Sequence, residues 1–452
     1  AMAQLDWMVN VNIFENETGS FWRGPGMNPK KVKTEVFFLP CAVSLEKEGS
    51  ITNSGRWSQW RYEAAKPPGQ ARSDGDMLID LMNKVKWFYR KDLKEGKKAV
   101  FPDPILKLKW DYSSGGKYDP HKMAKEINGY FQKAMTVKGK SFKKGDLVPS
   151  FAFLQDDGST SSANWLYCAS YTNDGNMAAR RTREKEGIGL NLEWAWCWPV
   201  NRRIIYNRAS VDKYGNPCDK EHPVIRWDAS AGKWVGDVPD GGWPPMLNPD
   251  GTLNPKTKYP FIMKPEGHGR IFGPGRADGP FPEHYEPIEC PVEKNLMSSQ
   301  LVNPTAPTYE TEMDLYRTCD PRFPFVGTTY RVSEHWQTGL MTRWQPWLLE
   351  AQPQLFVEMS VELAEMRGIK NGEMVSVESP RGKVKAVAIV TQRFRPFKIQ
   401  GTVVHQVGLP WHYGWVHPKD GGDSANLLTP STGDPNTRIP ETKAFMVNVK
   451  KA

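Results

Sequence analysis

The chain has 452 residues, with 60 Lys or Arg against 51 Asp or Glu and a formal net charge of +9. That length supports two or three domains with sizeable cores. The mild basic excess suits anionic small ligands such as phosphates, but its densest runs, 94–98 and 138–144, are solvated faces rather than a nucleic-acid footprint. No apolar run approaches the roughly 18 residues that cross a bilayer, and 18 Trp argue against disorder.

In chain order, the opening "AMAQLDWMVN" lacks the basic-then-apolar pattern of a signal peptide and reads as a strand already under way. The expectation is that the chain starts inside a domain, as the second part of a longer polypeptide. "LDWMVNVNIF" predicts a nearly continuous apolar strand of the kind that a parallel sheet buries on both faces. "TEVFFLP" predicts a second strand. In "EKEGSITNSGRWSQW", Trp57 and Trp60 read as packing residues. "SDGDMLIDLMNKVKWFY" predicts a helix capped by Ser73 or Asp74, with Met77, Leu78, Leu81, Met82, Val85 and Phe88 recurring at helical spacing. Residues 1–290 thus read as α/β, with a long irregular excursion of short helices and hairpins over about 91–277. Within it, "NLEWAWCWPVNRRIIYNRAS" reads as packing under Trp lids, as a channel wall or as a subunit contact. The proline-rich stretch within 278–319 reads as a linker.

Residues 320–452 predict a small closed β-barrel. "QLFVEMS" is a strand. "VELAEMRG" is a short helix that Ser360 caps and Gly368 ends. "EMVSVESPRGKVKAVAIV" is a hairpin whose Val375 and Val377 share one face, as do Val384, Ala386 and Ala388.

The six cysteines are too scattered for zinc, iron–sulfur or disulfide frameworks and read as isolated thiols. No nucleophile elbow and no dinucleotide-binding glycine turn is present. His335, His405, His412 and His417 fit no helix-face ligand pair. What remains is polar loops suited to a large phosphate-bearing ligand: "TTYRVSEHWQTGLMTRW" and "LPWHYGWVHPKDGGDSANLLTP", followed by Lys443.

With "ENETGSFW", "EGSITNSGRWSQW", "WAWCWPVNRRIIYNRAS", "DGPFPEHYEPIE", "GTTYRVSEHWQTGLMTR" and "ANLLTPSTGDPNTRIPETKAFMVNV", the sequence resembles, over essentially its whole length, the C-terminal part of the catalytic (alpha) subunit of molybdenum- or tungsten-dependent formate dehydrogenases. These belong to the bis-molybdopterin-guanine-dinucleotide (dimethyl sulfoxide reductase) family. The resemblance implies part of a Rossmann-like αβα domain followed by a double-psi barrel. It implies a cofactor site drawing on Thr329, Tyr330, Arg331, Val332, Ser333, Glu334, His335, Trp336, Gln337 and Thr338, an aromatic at Trp411, an amide at Asn426 and a lysine at Lys443, with Lys47 and Asp74 from the first part. Asn12 stands where many relatives carry Asp, and Thr442 where a Tyr often precedes the lysine. A guanine edge suits a carboxylate such as Asp74, and a pyrophosphate suits Lys47.

No catalytic residue is expected in this chain. In the family the metal-ligating selenocysteine or cysteine and the 4Fe-4S cysteines lie in the N-terminal part. The implied reaction is formate to CO2 at a bis-molybdopterin guanine dinucleotide bearing Mo or W. The implied partners are that N-terminal part, an iron–sulfur (beta) subunit and a cytochrome, in the periplasm, with no nucleic acid and no membrane span. Two alternatives stay open: a non-catalytic nucleotide-binding or scaffolding module, and a related reductase of nitrate-type oxyanions.

Overall fold

The N-terminal apolar run forms a strand, Trp7–Asn12 (β1), and "TEVFFLP" a second, Glu35–Pro40 (β2). The computed structural model that shows this describes residues 2–98, 100–181, 194–198, 210–236, 244–256, 273–281, 283–302, 304–307, 317–419 and 421–452. Among these residues β1 and β2 make a two-stranded sheet. The expected burial on both faces is not found: Trp7, Val9 and Val11 are exposed, as are Phe37, Phe38 and Leu39. Two strands have too few neighbours to cover either face.

The chain divides into two compact units, Pro40–Gly269 and Ala1–Leu39 with Arg270–Ala452. In the first, Gly49–Thr52 (β3), Trp57–Arg61 (β4) and Trp196–Cys197 (β5) form an antiparallel sheet in the order β5-β4-β3. Trp60 and Trp196 are almost fully buried there with Ala178. The packing reading therefore holds for Trp60 and for the described residues 194–198; residues 182–193 and 199–209 lie outside the described set. A helix runs Asp74–Lys94 (α1), capped by Ser73, whose hydroxyl accepts the Asp76 N–H at 3.1 Å. Its predicted apolar face does not turn inward. Leu78, Leu81 and Phe88 are exposed, and Ile79 and Lys86 are buried instead. A second helix, Pro120–Asn128 (α2), starts where Asp119 accepts the N–H groups of His121 and Lys122.

In the other unit six strands close a barrel: Phe325–Tyr330 (β6), Phe356–Ser360 (β7), Met374–Ser379 (β8), Gly382–Thr391 (β9), Gln406–Pro410 (β10) and Phe445–Lys451 (β11), in the order β6-β10-β7-β9-β8-β11. Two neighbouring pairs are parallel, β6 with β10 and β7 with β9, and the rest are antiparallel. Parallel pairing needs crossovers; that from β7 to β9 runs through the helix Val361–Arg367 (α3) and β8. Ser360 caps α3 by accepting the Leu363 N–H at 3.1 Å, and Gly368 ends it at φ +63°, both as the sequence predicts. Alternation does the rest. Val375 and Val377 point inward with Val384, Ala386 and Ala388, and Met359, Val407, Leu409, Val447 and Val449 complete the core. Each large aliphatic side chain so buried contributes about 1.5–3 kcal/mol. Large residues meet small ones: a Cβ on Gly327 would come within 2.7 Å of the Phe445 ring.

Candidate functional site

The barrel unit holds a cavity of about 480 Å³. Its walls come from four segments far apart in sequence. The end of β1 and the following turn supply Asn10, Asn12, Asn16 and Glu17. The loop after β6 supplies Thr338 and Arg343. The stretch after β10 supplies Trp411, Tyr413 and Trp415, and the turn after it Ser424 and Asn426. Asn10 and Asn12 project on the same side because strand residues alternate. The Asn12 side-chain oxygen, Oδ1, accepts the Ile13 N–H at 2.9 Å. Among the described residues the Asn12 side-chain NH2, the Asn426 side-chain amide and the Thr338 hydroxyl have no partner. The charged wall groups Glu17 and Arg343 face each other at 2.9 and 3.1 Å. The cavity is therefore amide-lined, aromatic-flanked and internally charge-compensated.

The loop of 331–343 is held by imidazoles. His412 is fully buried; its Nε2 accepts the Val332 N–H at 2.9 Å, so its Nδ1 must donate, and it does so to the Gln337 carbonyl. Burial pushes its pKa below 6.5, with the charges of Arg331 and Arg343 adding to the effect. His335, also buried, bonds the Gln352 carbonyl at 2.8 Å and the Thr342 hydroxyl at 3.2 Å. Tyr413 donates to the same carbonyl at 3.0 Å, and the Trp336 N–H donates to Thr342 at 3.1 Å. Gly339, at φ +75°, has no room for a side chain, since a Cβ would lie 2.1 Å from the His412 carbonyl oxygen.

This geometry sorts the predicted residues. Asn12, Thr338, Trp411 and Asn426 line the one cavity. His335 has both ring nitrogens committed within the chain and supports the loop from below. Val332 and Gln337 act through their backbone bonds to His412, whereas Ser333 bonds Glu334 at 3.3 Å on the surface and the Trp336 indole is exposed. Arg331 lies over the Trp411 ring at 5.5 Å. Thr329 points into the barrel and donates to the Thr442 carbonyl at 2.9 Å. Tyr330, on the next and outward position, donates to the buried Glu358 at 2.8 Å. Lys443 donates to the Thr329 carbonyl, and its pKa is held down first by burial and then by Arg331.

Lys47 and Asp74 belong to the other unit, where they form an ion pair at the wall of a separate cavity of about 620 Å³ flanked by Trp60, Trp110 and Tyr118. Ser73 as the helix cap leaves the Asp74 carboxylate free for this pairing. Glu48, beside Lys47, accepts from the Trp60 indole at 2.7 Å. The residues not singled out from the sequence are Asn10, Asn16, Glu17, Arg343, Tyr413, Trp415 and Ser424. Asn16, Glu17 and Arg343 lie in matched segments, but nothing local marked them as wall residues.

Residues 325–446, which span the barrel up to the start of its last strand, match the molydopterin dinucleotide binding domain. Over its whole length the chain is 59% identical to the formate dehydrogenase subunit alpha of Megalodesulfovibrio gigas and 50% identical to the formate dehydrogenase 2 subunit alpha (cytochrome c-553) of Nitratidesulfovibrio vulgaris. The chain thus matches formate dehydrogenase alpha subunits along its whole length. It spans 44% of the length of these two relatives and corresponds to their C-terminal part. By contrast, a nitrate reductase of Symbiobacterium thermophilum is 32% identical over only 29% of the chain. Similarity to formate dehydrogenase alpha subunits thus extends through both units.

Proposed function

We propose that this chain is the cofactor-holding part of a formate dehydrogenase catalytic subunit. The observation that carries the proposal is the convergence of Asn12, Thr338, Trp411 and Asn426 on one cavity next to a barrel of the dinucleotide-binding family. The residues fit a molybdopterin guanine dinucleotide. Free amides both donate and accept, as the edges of a pterin or guanine do, and Trp411 offers a flat face. When bound, with Mo or W, the cofactor supplies the two-electron chemistry that converts formate to CO2. This chain's residues bind and orient it: Asn12, Thr338 and Asn426 through hydrogen bonds, Arg331 and Lys443 through charge toward phosphate. In the other unit Lys47 and Asp74 suit a nucleotide end, Asp74 accepting from guanine and Lys47 donating toward phosphate. The metal-ligating selenocysteine or cysteine and the 4Fe-4S cluster belong to the N-terminal part of the subunit.

The same reading makes residues 1–290 part of a Rossmann-like domain with its long insertion, 278–319 a linker and 320–452 a double-psi barrel domain. It also gives the protein an iron–sulfur beta subunit, a cytochrome acceptor of the kind that the Nitratidesulfovibrio relative is named for and a periplasmic location. No helix among the described residues is long and apolar enough to cross a membrane. The test is acid release of nucleotide from the purified full subunit, with metal analysis. GMP together with Mo or W is expected, and protein that carries neither refutes the reading. Lys443→Ala is expected to lower both contents, and unchanged contents would remove Lys443 from the site.

A further inference from the structure

The cavity wall built by Asn10, Asn12 and Asn16 is not part of the barrel. A buried junction ties that segment to the loops around the barrel. Arg343 is 3% exposed and makes a two-pronged bond to Glu17, at 2.9 and 3.1 Å, across 326 residues of sequence. Two further donors go to the carbonyls of Gly339 and His417. One guanidinium thus ties the β1 segment, the loop after β6 and the stretch after β10, three of the four segments that wall the cavity. Gly414 makes room for it: a Cβ there would meet Glu17 Oε1 at 2.0 Å. Beside it Phe14, Trp344 and His417 stack in sequence, with ring centroids 5.5 and 4.0 Å apart.

A second buried fork serves as an internal comparison. Arg381 binds Glu289 at 2.6 and 2.8 Å, both side chains nearly inaccessible, and Glu289 also accepts the Met446 N–H. It fastens another peripheral segment to the barrel but lines no wall of the cavity. Breaking either fork strands a buried charge, so both breaks cost stability. Only one of them should also move a wall that contacts a ligand.

We infer that Glu17 and Arg343 are positioning residues of the cofactor cavity, setting the asparagine wall against Thr338 and Trp411. The inference rests on the proposed cofactor reading. Arginine suits the task because its planar fork fixes both distance and orientation, which a lysine cannot do.

The test uses the full subunit carrying Glu17→Gln, Arg343→Lys, Glu17→Asp or Glu289→Gln. For each, GMP per folded protein is measured after acid release, alongside the thermal midpoint. Glu289→Gln is expected to lower the midpoint while leaving GMP per folded protein at the parent level. Glu17→Gln and Arg343→Lys should lower GMP about tenfold, the loss of one or two hydrogen bonds to the ligand, and Glu17→Asp should restore part of it. If GMP in the Glu17 and Arg343 variants merely follows the midpoint, as for Glu289→Gln, or does not fall, the inference is overturned. Parent subunit that holds no GMP overturns the cofactor reading instead, so the two failures are distinct.

Discussion

His412 shows how a single residue ties chemistry to architecture. One nitrogen accepts from Val332 and the other donates to Gln337, so only the neutral ring satisfies both bonds. Its pKa is depressed by burial, as are those of His405 and His417 in the same unit. The folded state therefore resists protonation that the unfolded chain accepts. The stability these histidines confer is complete above the unfolded value of 6.5 and is lost as pH falls through it toward the lower folded values. Urea midpoints for the barrel unit's transition should drop between pH 7.5 and 5.5, by at most about 1.4 kcal/mol per pH unit per histidine. His412→Gln should shrink that drop, and an unchanged pH dependence would show that His412 is not among the groups responsible. Gly339→Ala should destabilise by about 1–3 kcal/mol, read by denaturant titration, because it adds steric overlap to a left-handed backbone.

At the scale of elements, local rules are most reliable where an element's neighbours lie close in sequence. The cap and stop of α3, at Ser360 and Gly368, follow from residues within two turns. Ser360→Ala is expected to cost about 1 kcal/mol, measured by chemical denaturation; no measurable cost would mean that the helix is held by packing alone. The β8–β9 hairpin was legible for the same reason, through its alternation; the structure puts the turn at Pro380 and Arg381. The predicted faces of β1 and α1 were not, since Trp7, Val9, Leu78 and Leu81 are exposed in this chain. Apolar periodicity marks a face that prefers to be covered, but it does not name what covers it.

At the scale of the molecule, each of the two compact units holds a candidate cavity of its own. The barrel unit carries the amide-lined cavity, and the other carries Lys47 and Asp74. Distinct units commonly unfold in distinct transitions. Calorimetry should therefore show Ser360→Ala shifting one transition while leaving the other in place. A single transition that moves as a whole would mean that the units unfold cooperatively.

The sequence by itself determined the barrel strands β7, β8 and β9 with the hairpin's inward faces, the cap and stop of α3, and which segments carry the amides and aromatics. These rest on periodicities of two and 3.6 residues, on caps and on matched segments, all short-range information. The strands β6 and β10 and the choice of Ser73 over Asp74 as the α1 cap came only with the structure. Only the tertiary structure decided which candidates share a cavity. It set Asn12 beside Thr338, Trp411 and Asn426, turned His335 and His412 into supports whose nitrogens are already used, and paired Glu17 with Arg343 across 326 positions. The reason is physical: a wall is fixed by contacts between segments hundreds of residues apart, and no local pattern encodes which distant carboxylate a buried guanidinium will meet.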